Sequence, residues 1–281
     1  MVTLPTIEIN NTLQGPYPIF CRGHSGGRLV CEAFIRNQID MGHVAADRKD
    51  TPFFSTFHNT LIREIILNAY HYLEIDKAQQ QHYQNLMKHC VNEYLEKEIQ
   101  HNGKKPFGWK LGISLFTMPV VLDAFPTAKV IHLIRDGRDV MLSRLNARFD
   151  YLDDPVNRLA VFGDPDVDKF EGHSLTPEVI ATYRNELEMQ HWVTAVRYGL
   201  KGRAYNGRYL EVRYEDICQN PLPIFEHIFD FIEMPFLKTT KDWLTQIVYK
   251  AKIGKWKTLP TNELEKPLQI GHSLLKELDY L

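Results

Sequence analysis

A chain of 281 residues with 44% hydrophobic and 24% charged content has the make-up of a globular protein with a sizeable core. Its 33 Lys and Arg against 35 Asp and Glu give a formal net charge of −2, which argues against a general nucleic-acid binder and leaves room for a local basic pocket. The four cysteines, Cys21, Cys31, Cys90 and Cys218, are scattered with no C-x-x-C pair and no metal spacing; Cys21 and Cys31 sit inside apolar patterns and read as small buried hydrophobes.

The stretch Met1–Gln14 is polar and lacks an apolar signal-peptide core, and no run approaches the ~18 apolar residues of a membrane span. The expected setting is therefore a reducing cytoplasm. The apolar run Pro18–Cys21 reads as a strand, followed by a Gly/Ser/Arg loop and an amphipathic helix from about Gly27 to Met41. Helices are expected at about Phe57–Leu73 and Gln79–Gln100, the second from Tyr83, Leu86, Met87, Cys90, Tyr94 and Leu95 at helical spacing, with a stop at Asn102-Gly103. Phe107–Lys110 reads as a short strand, with Phe107 and Trp109 as core or pocket wall, and Ser114–Phe125 as a helix holding Pro119 in its first turn. Lys129–Ile134 is a strongly apolar strand, followed by a helix from about Gly137 to Ala147. Asp150–Ser174 reads as a loop insertion, Pro177–Leu200 as one long helix, Arg208–Val212 as a strand and Leu222–Ile232 as a helix. Strands alternating with helices predict an α/β fold over 1–281 as one domain: three layers, a central mostly parallel sheet flanked by helices. Ligands in such sheets sit beyond the carboxyl ends of the strands.

Two stretches carry chemistry at those ends. In Arg22-Gly-His-Ser-Gly-Gly-Arg28, glycines let backbone N–H groups converge on a phosphate at a helix N-terminus, a P-loop-like cradle. The Lys and hydroxyl of the nucleotide triphosphatase loop are missing, because Gly27 and Arg28 stand at those positions. In Arg135-Asp-Gly-Arg-Asp-Val-Met-Leu-Ser143, Arg135 ends a buried strand and Ser143 lies two turns into the next helix, ~10 Å from its start. An arginine with a hydroxyl suits a bidentate phosphate contact plus one further donor. Asp136 reads as a helix cap, and Arg138 and Asp139 as surface ion pairs.

Together these stretches resemble the sulfotransferases that use 3′-phosphoadenosine 5′-phosphosulfate (PAPS). His24-Ser-Gly-Gly-Arg28 is similar to that family's 5′-phosphosulfate loop, and Arg135–Ser143 to its Arg-Asp-x-Arg-Asp-Val-x-x-Ser motif for the 3′-phosphate. Tyr209-Leu-Glu-Val-Arg-Tyr-Glu-Asp-Ile-Cys-Gln-Asn-Pro221 resembles the strand and turn whose tyrosine, Tyr214 here, helps to hold adenine. Ile253-Gly-Lys-Trp-Lys257 resembles the Gly-x-Trp-Lys segment that closes over the nucleotide. The resemblance implies metal-free, in-line transfer of a sulfonate to a hydroxyl or amine, with PAPS as co-substrate and adenosine 3′,5′-bisphosphate as product. It implies donor binding by Arg22, Gly23, His24, Ser25, Gly26, Gly27, Arg28, Arg135, Ser143, Tyr214, Lys250, Lys252, Gly254 and Lys255.

The chain departs from the family where charge matters. His24 replaces the usual Lys or Arg, so its charge depends on pH, and Arg22 is the candidate substitute. Gly27 removes a hydroxyl that often contacts the 5′-phosphate. Lys110, in a Trp-Lys pattern, is implied as the group that stabilises the leaving oxygen; Gly112 stands where the small-molecule enzymes carry their basic His. Asp50, in Asp-Thr-Pro-Phe-Phe54, resembles the carboxylate base of the glycan enzymes, with Asp47 and His43 as fallbacks. The acceptor is expected to be a small molecule or glycan, shaped by the loops Asp47–Phe57 and Asp150–Ser174; the acids Asp150, Asp153, Asp154, Asp164, Asp166, Asp168 and Glu171 of the second suit a neutral or cationic one. Two other readings are a P-loop small-molecule kinase and a nucleotide-binding protein without catalysis.

Overall fold

Val130–Ile134 is buried at every position, as a strand covered on both faces must be. It lies at the centre of a computed structural model that describes residues 13–99, 101–144, 152–247 and 253–281. In chain order, strand β1 (Ile19–Cys21) and helix α1 (Gly27–Arg36) are followed by α2 (Thr60–Asn68), α3 (Lys77–Lys97) and α4 (Met118–Ala124). Then come β2 (Val130–Ile134), α5 (Gly137–Arg144), α6 (Pro155–Phe162), the hairpin β3 (Lys169–Phe170) and β4 (His173–Ser174), and α7 (Pro177–Thr182). The chain continues through α8 (Arg184–Leu200), β5 (Tyr209–Arg213), α9 (Tyr214–Gln219), α10 (Pro221–Phe231), α11 (Lys238–Gln246) and α12 (Thr261–Glu277).

The sheet is parallel and runs β1, β2, β5, with Ile19 opposite Ile131 and Val130 opposite Tyr209. On the free side of β1 the expected Phe107–Lys110 strand extends it: the Tyr17 and Ile19 amides each donate at 2.9 Å to the Phe107 and Trp109 carbonyls. Beyond that, the Gly108 amide donates to the Asp40 carbonyl at 2.9 Å. Both neighbours of β1 come later in the chain, so the crevice beyond its carboxyl end is a topological switch point. Side chains alternate across the sheet with period two. Ile19, Cys21, Ile131 and Leu133 face the layer of α1, α10 and α11. Phe20 and Val130 face α2, α3 and α4 together with Ala195 and Tyr198 of α8. The three-layer expectation holds.

Several boundaries move for local reasons. Helix α1 stops at Arg36, well before Met41, because the buried Asn37 side chain turns away to bond the Pro235 carbonyl and the Leu237 amide, each at 2.9 Å. Asn59 caps α2 by accepting from the Leu61 and Ile62 amides, so that helix begins at Thr60 and not at Phe57. The expected helix Pro177–Leu200 breaks at Tyr183 (φ −101°, ψ 28°), whose ring lies against Phe170 and His173. The insertion Asp150–Ser174 is not all loop, since it holds α6 and the β3–β4 hairpin. Asp154 is committed to that structure: it caps α6 and pairs with Arg63 at 2.8 Å. Asp153, Asp164, Asp166, Asp168 and Glu171 are exposed, whereas Asp150 lies outside the described residues, as do the expected helix ends at Gln100 and Ala147.

One strand residue makes stability depend on pH. His132 of β2 is fully buried with Nδ1 2.6 Å from the Tyr209 hydroxyl, and burial holds its imidazole down to about 4. The unfolded chain therefore takes up this proton at higher pH than the folded one, so His132 opposes folding progressively as pH falls from about 6.5 to about 4. The urea midpoint should drop between pH 7 and pH 5, and His132→Gln should flatten that dependence in equilibrium unfolding.

Candidate active site

Strand β1 delivers the chain to the carboxyl edge of the sheet, where the Ser25 amide donates to the Arg22 carbonyl at 3.1 Å and closes the turn. His24 has φ 71° and Gly26 φ 92°, and Gly26 caps α1 with no side-chain bond and no acid in the first turn. A Cβ at Gly26 would strike the Tyr214 ring, so the position requires glycine for space as well as for backbone. The helix N-terminus is thus left with its partial positive charge uncancelled, ready for an anion.

The second stretch meets this loop directly. The Arg135 guanidinium donates to the His24 carbonyl at 3.0 Å and lies 4.8 Å over the Tyr214 ring. Ser143 Oγ is 2.9 Å from His24 Nδ1. Trp192 of α8 fixes the root of Arg135 by donating from Nε1 to its carbonyl at 3.0 Å. The expected residues Arg22, Gly23, His24, Ser25, Gly26, Gly27, Arg135, Ser143 and Tyr214 are therefore brought to one place. Arg28 is not at the crest: it is exposed and reaches out to the Asp47 carbonyl at 2.9 Å. Loss of hydration, then the positive charges of Arg144, Arg22, Arg135 and Arg48, hold the His24 imidazole down to about 4. His24 is neutral at pH 7, so the fixed charge of this site resides in arginines.

Lys110 forms the opposite wall. Thr51 brackets its backbone, its hydroxyl accepting from the Lys110 amide at 3.1 Å and its amide donating to the Lys110 carbonyl at 2.7 Å. The Lys110 ammonium donates to Asp50 Oδ1 at 2.6 Å and to the Arg48 carbonyl at 3.0 Å. A Cβ at Gly27 would lie 2.9 Å from Lys110 Cε and 2.8 Å from Cys21 Sγ. The missing hydroxyl thus has a physical reason, because the lysine arm crosses the space it would need. Asp50, the candidate base, stands beside Lys110; the fallbacks do not, Asp47 pairing with exposed Arg48 and the His43 amide bonding Glu98.

Two groups of residues correct or extend the sequence reading. Arg138 and Asp139 are not surface ion pairs but buried. Asp136 does cap α5 through the Arg138 amide, and it also grips the Arg138 guanidinium at 2.7 Å. Arg138 then lies 3.8 Å over the Trp256 ring and donates to the Tyr280 carbonyl. Asp139 accepts from the Gly254 and Trp256 amides at 2.7 and 3.1 Å, which places Gly254 and exposed Lys255 beside the Arg135 helix. Lys250 and Lys252 lie outside the described residues. A helix entered directly from a fully buried strand buries its first turn whatever its polarity, and that was the available signal. Sequence reasoning also missed Glu188 of α8, fully buried and bonded by Arg22 and Arg144 at 2.8 Å each. Its spacing with Trp192 and Ala195 puts it on an apolar helix stripe, where a charge signals a partner. Among the described residues, no group of three or more His, Cys, Asp or Glu side chains is arranged to hold a metal ion.

A glycine turn between a parallel strand and a helix is here cross-linked to Arg135 after the next strand and to Ser143 of the helix that follows it, and is faced by a lysine, all within an α/β fold. The sequence profile of the sulfotransferase family matches residues 41–238, and the chain belongs to that family. Carbohydrate sulfotransferase 3 of Mus musculus is 28% identical over 130 residues, 46% of this chain and 25% of that protein. Carbohydrate sulfotransferase 1 of Danio rerio is 23% identical over 155 residues, 52% of this chain and 34% of that protein. The matched stretches thus span a quarter to a third of those relatives' lengths. The fold is shared with the sulfotransferase domain of the Synechococcus olefin synthase, at 17% identity and TM-score 0.52 over 92% of this chain and 94% of that one. It is shared equally with the sulfotransferase domain of the curacin biosynthetic pathway, at 16% identity and TM-score 0.52 over 92% and 97%.

The two amides held by Asp139 give a direct check on the clamp. In Asp139→Ala, hydrogen exchange at Gly254 and Trp256 should accelerate by about 5- to 150-fold, on the order of 1–3 kcal/mol for losing the acceptor. Unchanged protection in mass-spectrometric exchange would mean the segment is held by other contacts.

Proposed function

We propose that this chain transfers a sulfonate from PAPS to a hydroxyl, or an amine, of a small-molecule or glycan acceptor. The observation that carries this reading is the cross-link at His24, where Arg135 and Ser143 converge on the crest of the glycine loop. In this reading Arg135 and Ser143 hold the 3′-phosphate, the backbone of residues 22–27 and the α1 N-terminus hold the 5′-phosphosulfate, and Tyr214 packs on adenine. The segment with Gly254 and Lys255 closes beside them, and Lys250 and Lys252, which lie outside the described residues, are further candidate ligands of the 3′-phosphate.

The Lys110–Asp50 pair supplies the two halves of the chemistry. The Lys110 ammonium turns from Asp50 to the bridging oxygen, where negative charge grows as the sulfur–oxygen bond breaks. Asp50 then accepts the proton of the acceptor as its oxygen bonds to sulfur, a contribution of about 10²–10⁴-fold for a placed base. His24, held neutral at pH 7 in the free chain by burial and neighbouring arginines, offers one hydrogen bond beside the transferring group. The carbohydrate relatives favour a sugar hydroxyl as acceptor. Four free cysteines support a reducing cytoplasm, and no helix among the described residues is long and apolar enough to cross a membrane. The whole chain, 1–281, acts as one unit around this site.

Calorimetric titration with adenosine 3′,5′-bisphosphate, and with ADP plus Mg²⁺ in parallel, tests the donor. The bisphosphate should bind preferentially, and Arg135→Ala should weaken it about 10- to 100-fold, the worth of charged hydrogen bonds at ~1.5–3 kcal/mol. Preference for ADP with Mg²⁺ would instead favour a kinase. Once an acceptor screen yields turnover, Lys110→Ala should cut kcat by about 10²–10³-fold. A binder without catalysis would show neither turnover nor that loss.

A further inference from the structure

Glu188 is a carboxylate with no exposure, set directly under an anion-binding loop. Burying a charge there costs several kcal/mol unless it is fully met by partners. Its partners come from separate parts of the chain. Arg22, the first residue of the loop, donates from Nη2 to Glu188 Oε2 at 2.8 Å. Arg144, which follows Ser143 at the end of α5, donates from Nε to the same oxygen at 2.8 Å. Arg184 lies one turn before Glu188, 3.5 Å from Oε1, and donates to the Arg144 carbonyl at 3.0 Å. His191 is buried one turn beyond, its ring kept neutral by burial and by Arg22 and Arg144.

The arrangement reaches the loop surface through a glycine. A Cβ at Gly23 would fall 3.2 Å from Arg144 Nη1, so the guanidinium lies directly behind the loop backbone. We propose that Glu188 is a positioning residue for the donor site: one carboxylate oxygen fixes Arg22 and Arg144 behind Gly23, and so sets the separation between the loop after β1 and helix α5. The assignment rests on the PAPS reading for what the site binds; the link between loop and helix stands on the contacts alone. It also explains how the site works without a lysine in the loop. Arg144 supplies fixed charge from behind, at a place where no side chain on residue 23 intervenes.

A carboxylate that merely weakened the local field would have the opposite signature to one that positions. Glu188→Gln removes charge and keeps shape, and field alone would then tighten anion binding. Positioning predicts weaker binding, because the guanidiniums lose their common anchor. Glu188→Asp keeps the charge, withdraws it by one methylene, and serves as the second variant where Glu188→Gln fails to fold. Two readouts are paired, with thermal melts confirming that each variant is folded. Calorimetry with adenosine 3′,5′-bisphosphate should show affinity falling on the order of ten- to a hundredfold in both variants. NMR titration of the His24 ring, faced by Arg144, Arg22, Arg135, Arg48 and Ser143, should show its midpoint rising from about 4 toward 6.5 as Arg144 leaves its place. Unchanged or tighter binding with an unchanged or lower His24 midpoint would overturn the proposal, as would a Glu188→Asp variant that behaves as wild type in both. Should the wild-type chain bind no bisphosphate, the donor reading fails, and the His24 titration alone decides whether Glu188 fixes the loop to the helix.

Discussion

A charge sealed from water at Glu188 ties together parts of this molecule that are far apart in the chain. The carboxylate must be met by guanidiniums, and the ones it meets root in the loop after β1, the end of α5 and α8 itself. Helix α8 adds Trp192 to the Arg135 carbonyl four residues further on. One helix on one face of the sheet therefore locates the loop after β1 and the turn after β2 against each other. A loop that relied on surface contacts alone would have no comparable reference, because exposed ion pairs contribute little to fixing geometry.

The distribution of charge follows from that scaffold. With His24 neutral, the positive charge near the crest comes from Arg22, Arg135 and Arg144, all buried or nearly so, and from Lys110 on the opposite wall. Arginine suits burial because its guanidinium stays charged and offers several donors in a rigid fork. Lys110 is held differently, by Asp50 and one carbonyl, on a flexible arm lying across Gly27. The arginines are fixed by a buried partner, whereas the lysine is bonded to a half-exposed one and is the cation with the freedom to change partners.

What could be read from the sequence was what short-range pattern controls. The apolar strand ending at Ile134, the Gly/Ser/Arg turn after Cys21 and the Trp109-Lys110 edge all declared themselves locally, and the sheet is built from them. Resemblance of motif named Lys110 and Asp50 separately, but not their pairing at 2.6 Å. Missed features were those decided by partners distant in the chain. Asn37 ends α1 because residues 235 and 237 receive its side chain, and no window around position 37 contains that fact. Tyr183 breaks a helix whose propensity runs through it, because aromatic neighbours from the β3–β4 hairpin claim its ring. Arg138 and Asp139 look solvated by composition, yet the C-terminal segment packs over the first turn of α5 and bonds them.

That covering closes the site with residues from the far end of the chain. Asp139 holds the backbone at 254 and 256, Arg138 holds the Trp256 ring and the Tyr280 carbonyl, and Glu215 links the Tyr280 hydroxyl to the Asp136 amide. Each contact runs from the turn after β2 to residues more than a hundred positions later, or through Glu215 beside Tyr214. The Arg135 turn therefore has two supports of different kind: α8 from beneath, through Trp192, and the C-terminal segment from outside. The first is a packed helix and sets the geometry. The second rests on two backbone amides, a stacked ring and a carbonyl at the protein surface, contacts that open at lower free energy than a buried core. On the proposed reading, a nucleotide held by Arg135 and Tyr214 would meet a packed floor and a cover that is the more easily lifted, an order of stiffness suited to binding a donor and releasing a product.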